Sequence, residues 1–86
     1  MPEISRFFGI VVAMYYDDHS PPHFHVRYGE QTAAIEIETL RVLEGSLSNR
    51  VSGLVWEWAR LHLHEIMEDW TLAREHRPLK RVAPLE

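Results

Sequence analysis

Cysteine is absent from the 86 residues, which removes disulfides, thiolate metal ligands and a cysteine nucleophile together. That absence accords with a reducing compartment. The chain also lacks a long apolar run. The longest, residues 7–16, is interrupted by Gly9 and falls far short of the about 20 residues a membrane-spanning helix needs. The first residues do not have the charged-then-apolar layout of a secretory leader, so a cytoplasmic protein with no membrane partner is expected. Positive charge is scarce too. The formal net charge is −4 with histidines neutral, so there is no global basic field for nucleic acid. Internal repeats, low-complexity runs and linkers are missing as well.

What is present suits one small globular domain, residues 1–86. Hydrophobic residues make up 45% of the chain, an ordinary globular share that argues against intrinsic disorder. A domain of this size buries only roughly 60–65% of the surface its unfolded chain exposes, so a partner chain or a homodimer would help it. Charge is uneven: Arg74, Arg77, Lys80 and Arg81 stand among the last thirteen residues. Any nucleic-acid contact is therefore expected to be local.

The expected fold is α+β: an antiparallel sheet of three or four strands, with one long C-terminal helix packed on one face. Residues 1–45 read as a β-meander. Residues 4–16, rich in Phe, Ile, Val and Tyr on both alternating faces, read as one long central strand, with Gly9 marking a bulge or bend. Residues 17–22 form a turn, with two aspartates, a serine and two prolines. Residues 23–28 and 31–38 then pair as a hairpin around Gly29-Glu30, glycine first as a type II′ turn prefers. Residues 40–43 add a fourth short strand ending at Gly45. Residues 49–75 read as one helix with Ser48 as its N-cap. Its polar stripe is Gly53, Glu57, Arg60, His64, Glu68, Thr71 and Glu75. The opposite arc carries Val51, Leu54, Val55, Trp58, Ala59, Leu61, Ile66, Trp70 and Ala73. Residues 76–86 make an extended basic tail.

Chemistry concentrates in residues 17–27, DDHSPPHFHVR, where three of the six histidines stand within seven positions. A two-residue turn at Gly29-Glu30 puts Tyr28 opposite Gln31. Val26 and Phe24 then face Ala33 and Ile35 on an apolar side, and His25 and His23 face Ala34 and Glu36 on the other. Arg27 shares that second side, next to the turn bearing Asp18 and His19. A carboxylate beside an imidazole fixes its tautomer, and such a cluster does acid–base work near neutral pH.

Asp18, His19, His23 and His25 are therefore the candidate catalytic residues. Arg27, with Lys80 and Arg81 of the tail, is the candidate anion- or RNA-binding set, and Glu36 has a supporting role. Three readings of the turn stay open: hydrogen-bonded structural histidines, a zinc, iron or nickel site, and metal-free acid–base chemistry. No metal ligand set and no cofactor is assigned, because the strand face that bears His23 and His25 offers no obvious further donor.

A second constellation lies on the helix. His62 and Glu65 are neighbours at i, i+3, and they read as a core histidine bonded to a carboxylate or as support for the site. If His23 and His25 point away from the helix, His62 cannot join them. Three tryptophans are more than so small a core usually absorbs, so one is expected as an interface anchor.

Ile4-Ser5-Arg6-Phe7-Phe8-Gly9, Met14-Tyr15, Asp18-His19, Pro21-Pro22-His23-Phe24-His25-Val26 and Tyr28-Gly29-Glu30 together resemble the bacterial domain-of-unknown-function family 4160. Glu57-Trp58, Leu61-His62, Glu65 and Trp70 resemble its helical half. Ser48 departs from the family, which commonly carries proline there after leucine, and this touches only the start of the helix. The resemblance implies a small bacterial protein, encoded beside a short partner of family 2442, in pairs regarded as candidate toxin–antitoxin modules. It implies no catalytic residue. The expectation that follows is a toxin–antitoxin component acting as a small metal-independent ribonuclease through the histidine cluster. The alternatives are a non-enzymatic, antitoxin-like partner-binding module and a metal-binding domain.

Overall fold

The computed structural model describes residues 2–86. Five strands follow one another along the chain: β1 (Glu3–Phe7), β2 (Ile10–Ala13), β3 (His23–Tyr28), β4 (Gln31–Glu36) and β5 (Val42–Ser46). Each pairs antiparallel with the next, in the order β1-β2-β3-β4-β5. Two helices complete the chain, α1 (Asn49–Leu61) and α2 (Leu63–Arg74). The α+β class is as expected, and the counts differ: five strands replace three or four, and two helices replace one.

The long first strand is two strands. Phe7 pairs with Ile10, and Phe8 and Gly9 between them take φ of 50° and 82°, the left-handed pair of a type I′ turn. The continuous apolar run hid this turn because Phe8, a residue with no turn preference, carries half of it and stands exposed. The second hairpin has the expected register throughout, from Tyr28↔Gln31 to His23↔Glu36.

The third expected strand stops at Glu36 rather than 38, and Leu40 turns the chain at φ 61°. β5 then starts at Val42 and runs through Gly45 instead of ending there. Gly45 lies so close to β4 that a Cβ would sit 2.1 Å from the Thr32 carbonyl oxygen. This glycine permits strand contact rather than ending a strand.

Ser48 caps α1 as expected, its hydroxyl accepting from the Val51 N–H. The helix breaks at His62, whose φ of −129° and ψ of 23° leave the helical region. Neither proline nor glycine marks the corner, so periodicity ran straight through it. The polar stripe is exposed along its length. Leu61, assigned to the apolar arc, lies at the corner and is exposed.

The core lies between one face of the sheet and the two helices. Ile4, Ile10, Val12, Met14, Phe24, Val26 and Ile35 meet Val51, Val55, Trp58, Ile66 and Trp70. The tail closes this layer rather than trailing free. The Val82 N–H donates to the Ile4 carbonyl, and Val82 is buried. Trp58 Nε1 donates to the Ala83 carbonyl at 2.8 Å, and the Lys80 N–H donates to Asp69 Oδ1. The other sheet face is open, and among the described residues no helix is long and apolar enough to cross a membrane.

Candidate functional site

The sheet's alternation puts His23 and His25 on one side of β3, and the turn before β3 brings Asp18 back to them. Asp18 Oδ2 lies 2.9 Å from His23 Nε2 and 2.9 Å from His25 Nε2. The three donor atoms all lie within 4.8 Å of one another. The imidazole rings of His23 and His25 are 5.0 Å apart, nearly perpendicular. His19 stands at the rim: its ring is exposed, 5.9 Å from that of His23. Its backbone N–H donates to Asp18 Oδ1 at 3.1 Å.

The second nitrogen of His23 decides the character of this cluster. Nδ1 lies 2.7 Å from the Pro21 carbonyl oxygen, which can only accept, so Nδ1 carries a proton. A neutral His23 then turns the Nε2 lone pair toward a carboxylate oxygen. That contact is attractive only when a cation, either a second proton or a metal ion, lies between the two atoms. His25 has no such constraint, and its Nε2–H can donate to Asp18 directly.

Donors bound tetrahedrally to one ion at about 2.1 Å lie roughly 3.4 Å apart, somewhat wider than the two Asp18 separations of 2.9 Å. Asp18, on the turn, supplies beside the two imidazoles the carboxylate that the strand face itself lacks. Burial pushes the Asp18 carboxyl pKa up. The hydrogen bond from His25, the charge of His23 and the His19 backbone N–H outweigh it, leaving the group below the usual carboxylate range.

Two residues outside the histidine turn hold the rings. His23 is 5% exposed, and its ring packs 5.4 Å from that of Trp70 on α2. A helix therefore does reach the cluster, through Trp70 and not through His62. Tyr15 meets His25 edge-on at 4.5 Å. Periodicity assigned Trp70 to the apolar arc and could not show which ring it would cover. On the outer side of the turn, His76 Nε2 lies 2.7 Å from Asp17 Oδ1, and its ring stacks over Tyr16.

The other candidates lie apart from the cluster. His62 Nδ1 is 2.6 Å from Glu65 Oε1, and its ring rests 5.9 Å from that of Trp58; this is a bonded, half-buried histidine. Glu36 accepts from the Thr39 hydroxyl and faces Arg41. Lys80 pairs with Glu68 and Arg81 with Glu3 at the surface. Arg27 is exposed on the open sheet face. There it lines, with Tyr15, His25, Thr32, Ala34 and Glu44, a groove of about 220 Å³. Trp56 is the exposed tryptophan.

The sequence model of one family, described as a domain of unknown function (DUF4160), matches residues 9–71. That span runs from the β1–β2 turn through most of α2 and contains Asp18, His23, His25 and Trp70. No curated protein and no solved structure matches the chain. With well over half its length matched, the chain belongs to the DUF4160 family.

Proposed function

We propose that this domain is a metal-binding module centred on Asp18, His23 and His25. One observation carries the reading: His23 is fixed from both sides, Nδ1–H on the Pro21 carbonyl and Nε2 toward the carboxylate shared with His25. A backbone carbonyl on the far nitrogen is the usual outer support of a metal-bound imidazole. Two imidazoles and a carboxylate suit zinc, iron or nickel and leave further positions for water or substrate. A water held on such an ion is acidified toward neutral pH, which makes a hydrolytic nucleophile.

Elemental analysis of protein purified without a histidine tag, followed by zinc titration of chelator-stripped protein, tests this. One equivalent of metal per chain is expected. Asp18→Asn and His25→Ala are expected to weaken zinc binding by on the order of 100-fold. Protein that takes up no metal, or variants that bind like wild type, would refute the assignment.

A second reading keeps the cluster metal-free, as the ribonuclease of a toxin–antitoxin pair. The shared groove of His25 and Arg27 favours it. In this reading an imidazole takes the ribose 2′-hydroxyl proton and Arg27 holds the phosphate. RNA cleavage that survives EDTA and disappears in His25→Ala supports it. Absence of both cleavage and growth inhibition removes it.

A further inference from the structure

Among the described residues, the cations of this acidic chain are nearly all occupied. Arg6, Arg41, Arg77, Lys80 and Arg81 sit in ion pairs, and Arg60 and Arg74 lie over Trp56 and Trp70. Arg27 and Arg50 have no such partner, and of the two Arg27 lines the groove on the open sheet face that His25 also lines. The two residues are separated by one position on β3 and point to the same side, about 7 Å apart along the backbone. That gap is well within the reach of an arginine side chain. The floor between them is made of small residues, with Ala34 opposite His25 and the hydroxyl-bearing Thr32 opposite Arg27. Glu44 pairs with Ala34 from β5 and marks the outer margin, so negative charge lies on one side of the groove only.

We infer that this groove takes an oxyanion, with a phosphate ester as the leading class. The Arg27 guanidinium takes its oxygens, beside the His25 ring that the groove shares with the proposed metal site. This rests on the metal-binding reading above. The planar guanidinium donates two parallel N–H bonds to a phosphate or carboxylate edge. The rest of the lining offers the ligand no further arginine or lysine.

Zinc-loaded protein titrated with methyl phosphate and, separately, with acetate tests the inference, followed by calorimetry or by NMR shifts of groove residues. Saturable methyl phosphate binding is expected, weakened roughly tenfold or more in Arg27→Met, the scale of a lost charge-assisted hydrogen bond. Zinc affinity of Arg27→Met should stay that of wild type, which also reports that the variant is folded. Tighter binding of acetate, with the same Arg27 dependence, keeps the oxyanion and assigns a carboxylate source. Zinc binding without anion binding, or anion binding indifferent to Arg27, overturns this inference and leaves the metal centre standing. Failure to bind zinc overturns both.

Discussion

Two histidine–carboxylate contacts, one at the end of the sheet and one at the helix corner, look alike at first measurement and differ in every respect that bears on chemistry. His23 and His62 each rest on a tryptophan, Trp70 and Trp58 respectively, and each has a carboxylate oxygen within 3 Å. At the corner the pair is local, i to i+3 on one helical turn, with a single imidazole and an exposed glutamate. At the sheet end the carboxylate comes from a separate turn, its Oδ2 serves two imidazoles, and the far nitrogen of the buried ring is already bonded to a carbonyl. A short imidazole–carboxylate distance is therefore not by itself a site. Convergence from separate elements, with the tautomer fixed, is what distinguishes one.

The strongest way to break the comparison is to remove the tryptophans. Trp58→Ala and Trp70→Ala are each expected to destabilise the fold by about 3–5 kcal/mol, measured by denaturant unfolding. For a domain this small, that threatens folding itself. The gentler Trp70→Phe keeps an aromatic face on His23. It should preserve zinc binding within a few-fold, whereas Trp58→Phe should leave it untouched.

Next come the carboxylates. Asp18→Asn should reduce zinc affinity by on the order of 100-fold, about 3 kcal/mol, while Glu65→Gln leaves it at the wild-type value; equal effects would erase the distinction drawn between the two pairs. Below these stands His62→Ala, expected to lower stability by about 1 kcal/mol with no change in metal binding.

The smallest effect calibrates the others with a carboxylate paired to guanidinium instead of imidazole. Hydrogen bonds from Arg6 and Arg81 hold the Glu3 carboxyl down from 4.5 to about 2. A depressed carboxylate contributes stability that is present above the ordinary value and lost as pH falls from about 4.5 toward 2. Thermal melts of wild type and Glu3→Gln should therefore differ at pH 7, by at most about 1 kcal/mol for so exposed a pair, and converge near pH 2.

Much of the site was legible because the Gly29-Glu30 turn sets a register, and period-two alternation then puts His23, His25 and Arg27 on one side. Ser48 and the helix's polar stripe were legible for the same local reason. What escaped depended on the third dimension. The Phe8-Gly9 turn lies inside an apolar run whose composition argues for uninterrupted strand. The break at His62 has no proline or glycine to announce it, and the packing of Trp70 on His23 is a long-range contact. The packing of the tail escaped too: Val82 is buried, and Lys80 and Arg81 meet Glu68 and Glu3. No periodicity encodes such contacts.

The nitrogen-15 imidazole spectrum, followed as one equivalent of zinc is added to tag-free protein, tests the two-sided fixing of His23 most directly. The centre described here predicts that His23 and His25 shift at Nε2, that His23 keeps its proton at Nδ1, and that His62 does not respond. Unchanged rings of His23 and His25, or a His23 that loses its Nδ1 proton to the metal, would contradict it.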